Sequence, residues 1–310
     1  MDQFRIMVRG AGDISTGTIH RLWMAGFRPV VLETDKPSAI RRQVSFCECV
    51  YGDEAVVEGI TAKRADSLAD AVRMLEEGVV PVLIDPAGKT IGEYRPDVLI
   101  DAILAKKNLG TMRETAPTVI GLGPGFCAGE DVDYVIETMR GHNLGRIIAE
   151  GCAQPNTGIP GVIAGYGKER VIHAPAAGVA RHVRNIGDTV EKGEVILRIC
   201  RPGTGGTEVT ATISGLIRGM IRDGYPVTEG FKIADIDPRQ DQYRNCFTIS
   251  DKARCIAGSV LELVCAAYRK KQQSREAAER VKKPEIERSS EQTKAPEREN
   301  VSDWTKAPER

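Results

Sequence analysis

A chain of 310 residues with 41% hydrophobic side chains is long enough for two domains, or for one domain with appendages. Its 43 Lys and Arg balance 43 Asp and Glu, which excludes the strong cationic footprint of a nucleic-acid binder and the acid excess of a polyacidic buffer protein. No apolar run approaches a bilayer span, and Met1-Asp2-Gln3-Phe4 has neither the basic nor the apolar region of a secretory signal. The eight Cys are therefore expected as reduced thiols of a cytoplasmic protein without membrane or nucleic-acid partners.

Phe4–Val8 reads as a first strand, followed at once by Gly10-Ala11-Gly12. Ile14, Ile19, Leu22 and Trp23 then have helical spacing up to Gly26, and Pro29–Leu32 is a second strand closed by Glu33. Strand, glycine turn, helix, strand and acid is the order of a dinucleotide-binding unit. Its glycines let backbone amides approach a phosphate, and its acid binds ribose hydroxyls. The sequence departs from that pattern in carrying Ser15 at the third glycine position and Asp13 in the turn, where a carboxylate repels a pyrophosphate. The turn is thus open to three readings: a nicotinamide dinucleotide, another phosphorylated ligand, or a purely structural role.

Arg41 and Arg42 precede Cys47-Glu48-Cys49. Nearby cations lower a thiol pKa, which makes Cys47 the first candidate for sulfur or selenium chemistry, against the alternative of buried thiols on a short strand. Gly59–Ala62 reads as a strand, and Ser67 caps a helix through Glu77 with Leu68, Ala71, Val72 and Leu75 on one face. Val79–Ile84 and Val98–Ile100 are expected as buried strands, with Asp101 and Lys106 projecting from the edge after the second, as ligands or as an exposed pair.

Thr118–Ile120 leads into a second glycine turn, Gly121-Leu122-Gly123-Pro124-Gly125-Phe126. Asp131 is expected to cap a following helix lined by Val132, Val135, Ile136 and Met139, near whose start Cys127 gains thiolate character. Two such turns converge at the carboxyl edge of a parallel sheet. This makes Gly10, Gly12, Asp13, Glu33, Gly121, Gly123 and Gly125 the candidate cofactor-binding residues. No Cys/His spacing suggests a metal site, and no Ser/His/Asp order can be defended from the four His.

A 37-residue repeat follows. Gly178, Gly187, Gly193 and Ile199 recur as Gly215, Gly224, Gly230 and Ile236, which suggests two interlocked β-hairpin units related by a pseudo-twofold axis. Ile186–Gly193 resembles the biotinyl/lipoyl hammerhead, but the hairpin between the halves, Arg201–Thr207, has no Lys to carry a cofactor. Asp251–Lys271 is expected as a closing helix capped by Ser250. From Arg269 onward 12 basic and 9 acidic residues leave too little apolar surface for a core, and a hexapeptide at Thr293–Arg298 recurs at Thr305–Arg310.

The fold class expected is therefore α/β: a Rossmann-like parallel-sheet domain (1–165), a small β barrel-sandwich (166–245), a C-terminal helix (246–271) and a disordered charged tail (272–310). Arg9–Asp13, Phe46-Cys47-Glu48, Ile120–Phe126 and Pro155–Gly161, combined with a hammerhead lacking its Lys, resemble the YqeB-like accessory proteins of the selenium-dependent molybdenum hydroxylase system. The resemblance covers roughly residues 4–270. It implies a cytoplasmic maturation protein with a molybdenum hydroxylase client and other maturation proteins as partners. The leading expectation beside it is a phosphorylated cofactor, such as a molybdopterin species, bound on the two glycine turns. A nicotinamide-dependent oxidoreductase, with NAD held through Glu33, and a non-catalytic scaffold are the rival readings. Catalysis, the ligand's identity and homo-oligomerisation stay open.

Overall fold

The computed structural model describes residues 4–158, 160–201 and 204–282. Of these, the residues up to Ala267 form one compact unit, and Tyr268–Lys282 belong to a second. The first unit is built on a nine-stranded, mostly parallel sheet. In chain order its elements begin with β1 (Ile6–Arg9), helix α1 (Asp13–Met24) and β2 (Pro29–Glu33). A short helix α2 (Cys49–Gly52) leads to β3 (Glu54–Val57), β4 (Ile60–Ala65), helix α3 (Leu68–Glu76) and β5 (Val80–Ile84). Helix α4 (Ile91–Tyr94), β6 (Val98–Asp101) and β7 (Thr118–Leu122) follow. The rest comprises a two-residue β8 (Cys127–Ala128), β9 (Tyr134–Ile136), β10 (Ile147–Ile148) and β11 (Gly151–Cys152).

The sheet order is β10-β9-β7-β6-β1-β2-β5-β4-β3. All pairings are parallel except β9 with β10 and β3 with β4 at the two edges. Strand order reverses between β1 and β6, so the crevice beyond their carboxyl ends is the place where such sheets bind ligands. β1, β2, β6 and β7 are near-continuous apolar runs because both faces of the sheet are covered. The Ser67 hydroxyl caps α3 by accepting from the Asp70 amide at 3.1 Å. Ala71 of that helix is buried, whereas Val72, expected beside it, is 40% exposed.

The helix expected from Asp131 to Met139 is absent. Its Val132/Val135/Ile136 spacing fits a helix, but Tyr134–Ile136 pairs in parallel with Ile120–Leu122 as β9. Gly123, Gly125 and Gly129, which precede it, have φ between 80° and 110°, so the turn does not run on into a helix before Asp131. The Asp131 carboxylate accepts instead from the Cys127 amide and from Asn108. Cys127 is not a free thiol at a helix start: it forms a disulfide with Cys152 across the β8–β11 pair. The expectation that all eight Cys are reduced is corrected accordingly; six are free.

The repeat region contains β12 (Val171–His173), β13 (Gly178–His182), β14 (Thr189–Val190), β15 (Val195–Arg201) and β16 (Thr204–Thr210), then β17 (Gly215–Met220), β18 (Pro226–Val227) and β19 (Lys232–Asp237). They form two four-stranded antiparallel sheets, β12-β19-β17-β14 and β16-β15-β13-β18. The pairing is reciprocal. β13 pairs with its own β15 and with β18 of the other repeat, while β17 pairs with β19 and with β14. Val179 faces Cys200 just as Leu216 faces Asp237, both partners displaced by the repeat length. The Gly187 amide donates to Ile217 and, one repeat on, Gly224 donates to Ala180. Each half thus completes the hydrogen bonding of the other around a shared core that includes Ile196, Ile199, Ile233 and Ile236. The linking hairpin's Pro202 and Gly203 lie outside the described residues, as do the duplicated hexapeptide and the tail beyond Lys282.

The two regions of the first unit are stapled by the residues that the sequence suggested for chemistry. The Met220 amide donates to Ile40, Arg42 donates to the Met220 carbonyl at 2.8 Å, and Glu48 accepts from Arg222 at 2.8 Å. Helix α5 (Asp251–Lys282) closes the fold, and the Ser250 hydroxyl caps it by accepting from the Ala253 amide at 3.2 Å. It runs to Lys282 rather than ending at Lys271. A Cβ at Gly17 would lie 2.7 Å from that of Ala253, so this late glycine of the first turn serves helix packing, not a ligand. Among the described residues, no helix is long and apolar enough to cross a membrane.

Candidate functional site

Each glycine turn sits at the carboxyl end of a parallel strand, β1 for the first and β7 for the second, and each is largely satisfied by its own chain. In the first, the Gly10 amide donates to Leu32 and the Ala11 amide donates to Glu33 Oε2 at 2.7 Å. Glu33 Oε1 accepts from the Thr34 amide at 2.8 Å. The acid expected to hold a ribose therefore has both oxygens engaged by the turn and its own strand end. Burial raises its pKa, with the two amide bonds acting against that rise. Gly10, with φ of 96°, lies against the Ala102 carbonyl, which closes the switch-point crevice from the β6 side. Gly12 is the open position: a Cβ there would meet nothing within 4 Å.

Beneath this closure, Arg9 and Asp101 are both buried and 3.2 Å apart. Thr111 donates to the same Asp101 oxygen at 2.6 Å. Asp101 is therefore an internal partner of Arg9, not half of an exposed edge pair with Lys106, whose side chain faces solvent. The second turn is filled in the same way. A Cβ at Gly121 would strike the Phe126 ring at 2.6 Å, one at Gly123 the Thr138 hydroxyl at 2.5 Å, and one at Gly125 the Lys107 backbone at 2.7 Å. The Gly123 amide donates to Ile136 at 2.9 Å. These glycines are small because chain crosses chain there.

Cys47 is fully enclosed. Its amide donates to the Ala11 carbonyl at 2.9 Å, so its backbone braces the first turn. Burial, followed by the charges of Glu33 and Glu48, pushes its thiol well above the ordinary range, and Cys49 is pushed up to about 12. The expected activation by Arg41 and Arg42 is corrected. Arg41 donates to the carbonyls of Asn245 and Thr248, and Arg42 to Met220, so their positive charge serves the contact between regions. Among the described residues, no group of three or more His, Cys, Asp or Glu is arranged to hold a metal.

What does open beside the second turn is a cavity of about 470 Å³, to which Pro124 contributes. Its polar wall is Thr138, Arg140, Gln154, Asn156, Thr157 and Lys252. Thr138 and Arg140 follow β9. Gln154 is fixed by its amide, which donates to buried Glu137 at 2.8 Å, two residues past the disulfide-bonded Cys152. Lys252 lies in the first turn of α5. Burial, and next the Arg140 charge, lower its pKa, while Asp13 of the first turn and Glu137 pull it back up. Asp13 and Pro124 thereby bring one residue of each turn to the neighbourhood of Lys252, though the amides of the turns do not line the cavity.

A lysine in the first helical turn faces the positive end of the helix macrodipole, and half-burial removes part of its hydration. A bound anion offsets both penalties. Arg140, Lys252 and the Gln154–Thr157 segment were missed as site residues. The Pro155-Asn156-Thr157-Gly158 loop and the Ser250-Asp251-Lys252 helix start were the signals available in the sequence.

The chain is a homologue of the uncharacterized protein YqeB of Escherichia coli K12, 49% identical over 257 residues that make up 83% of this chain. It spans 46% of that protein's length. No protein-family model matches. It is also similar at 11% identity to the product-bound ectoine utilization protein EutE (DoeB) from Ruegeria pomeroyi, over 75% of this chain and 84% of that one, with a TM-score of 0.26. A succinylglutamate desuccinylase/aspartoacylase from Rhodobacter sphaeroides is similar at 16% identity over 76% and 85% of the two chains, with a TM-score of 0.27.

Proposed function

Taking the YqeB homology as the premise, we propose that this chain is an accessory protein in the maturation of a molybdenum hydroxylase of the selenium-dependent system, binding a phosphorylated cofactor of the molybdopterin class. The pathway rests on the motif combination Arg9–Asp13, Phe46–Glu48, Ile120–Phe126 and Pro155–Gly161. The ligand class rests on one observation: a cavity at the carboxyl edge of the parallel sheet that combines Arg140 and Lys252 with neutral amide and hydroxyl donors. Charge-assisted bonds from a guanidinium and an ammonium suit a phosphoryl group, and the neutral donors suit a heterocycle edge.

In this reading side chains, not turn amides, hold the anion. Cys47, enclosed and with its thiol pKa raised, acts in this reading as a brace of the first turn through its amide bond to Ala11. The reciprocal sheets of the repeat, read as a barrel-sandwich of the biotinyl/lipoyl type without a carrier Lys, act as a rigid module toward the client hydroxylase. The nicotinamide reading loses its main support, because Glu33 is committed to Ala11 and Thr34.

Native mass spectrometry of the full chain purified from its own host tests the proposal. A retained adduct containing phosphorus and a pterin is expected. A protein that carries no adduct and gives no calorimetric signal with a pterin phosphate ester refutes it.

A further inference from the structure

Across Arg140 from the first cavity lies a second, of about 500 Å³, which the proposed function does not use. Four arginines contribute to it: Arg140, Arg218, Arg239 and Arg254. Three carboxylates pair with them, and these acids are saturated. Asp237 accepts from Arg218 at 3.3 Å and from Arg239 at 2.7 and 2.9 Å. Asp251 accepts from Arg140 at 2.8 and 3.0 Å, and Glu58 accepts from Arg254 at 2.6 and 2.7 Å. Of the three, only Asp251 lines the cavity.

The wall thus holds one positive charge more than its paired acids, and Arg41 adds another from behind. Arg41 donates to the carbonyls of Asn245 and Thr248, both cavity residues. The Nε atoms of Arg218 and Arg41 are buried and have no hydrogen-bond partner among the described residues. Buried orphan donors are rare, and they leave these two guanidinium groups, one in the wall and one behind it, incompletely satisfied by the protein. Burial, and next the Arg218 charge, press the Arg41 pKa down, while the charges of Asp13 and Asp235 act against that fall.

We propose that this cavity is a second anion site, taking a tetrahedral oxyanion such as the phosphate group of a ligand on Arg218 and Arg239, with Gln242, Asn245 and Thr248 as neutral donors. It stands independently of the ligand assigned to the first cavity.

The test is calorimetric titration of the full chain with inorganic phosphate in a Lys252→Met background, which takes the first cavity's ammonium away. Phosphate is expected to bind there still, and adding Arg239→Gln is expected to weaken it about tenfold or more. Arg218→Met is expected to weaken it further. Because Arg218 is internal and its loss risks the fold, the more exposed Arg239 is the decisive variant, with circular dichroism to establish that it folds. Absence of binding up to roughly 10 mM phosphate overturns the proposal, as does an Arg239→Gln affinity within about twofold of its parent.

Discussion

Gly123→Ala separates a glycine kept for close packing from one kept for ligand approach. Gly123 has φ of 80°, and an added Cβ would lie 2.5 Å from Thr138 Oγ1. Left-handed backbone costs an L-residue about 1–2 kcal/mol. Overpacking against buried Thr138 costs about 1–3 kcal/mol more, so the variant should lose about 2–5 kcal/mol. For a folded unit of this size that lowers Tm on the order of 10 °C. Adding Thr138→Ala removes the clash and leaves the backbone strain, so the double-mutant cycle should show a favourable coupling of about 1–3 kcal/mol. Urea unfolding followed by circular dichroism reads all four corners. A Gly123→Ala protein with unchanged stability would refute the reasoning, most sharply if it also lost ligand affinity. The contrasting control is Gly12→Ala, where φ is −68° and no atom stands within 4 Å of the new methyl. Its stability should stay within about 0.5 kcal/mol of the parent.

Native protein treated with a thiol-specific disulfide reagent should be modified at exposed Cys255, with Cys47 and Cys49 reacting only after unfolding; peptide mapping that finds Cys47 labelled in the native state would contradict its burial and raised pKa. Reducing Cys127–Cys152 frees a loop defined by a separation of 25 residues, which chain-entropy arguments value at about 3–4 kcal/mol; urea midpoints with and without reductant, and the Cys127→Ser/Cys152→Ser variant, should agree on that loss. Binding of a phosphorylated ligand should weaken as pH rises through the Lys252 pKa, which burial holds below the ordinary 10.5. The unliganded protein should show the opposite trend from this residue. Its folded form binds the proton less tightly than the unfolded chain, so stability rises with pH between the two pKa values. Calorimetry and unfolding across pH 7.5–10.5, with Lys252→Met as the flat reference, read both slopes.

The sequence made the sheet legible because its strands are short apolar runs punctuated by turn residues, and because Ser67 caps α3 with the geometry its position implies. The repeat was legible because its duplicated positions take equivalent rungs: Ile199 pairs with Ala180 as Ile236 pairs with Ile217, and Gly178 pairs with Val227 as Gly215 pairs with Val190. The segment after the second turn was not. Apolar residues at Val132, Val135, Ile136 and Met139 satisfy a helical period while the run Tyr134–Ile136 equally suits a buried strand, and short runs do not distinguish the two. The site was the least legible part. Arg140 and Asp251, bonded to each other, are 111 residues apart, and nothing local to either reveals that α5 begins where β9 ends. Glu33 and Cys47 belong to patterns that resemble ligand sites, yet the same polar groups also satisfy the orphan donors and acceptors of a tight turn. Only the three-dimensional arrangement distinguishes these uses.

Calorimetry with a single pterin phosphate ester, run on the full chain, Lys252→Met and Gly12→Ala, addresses the assignment of the first cavity directly. If side chains hold the anion, Lys252→Met should weaken binding by about tenfold or more while Gly12→Ala binds as the parent does. Loss of binding in Gly12→Ala with full retention in Lys252→Met would return the ligand to the glycine turn and contradict the account.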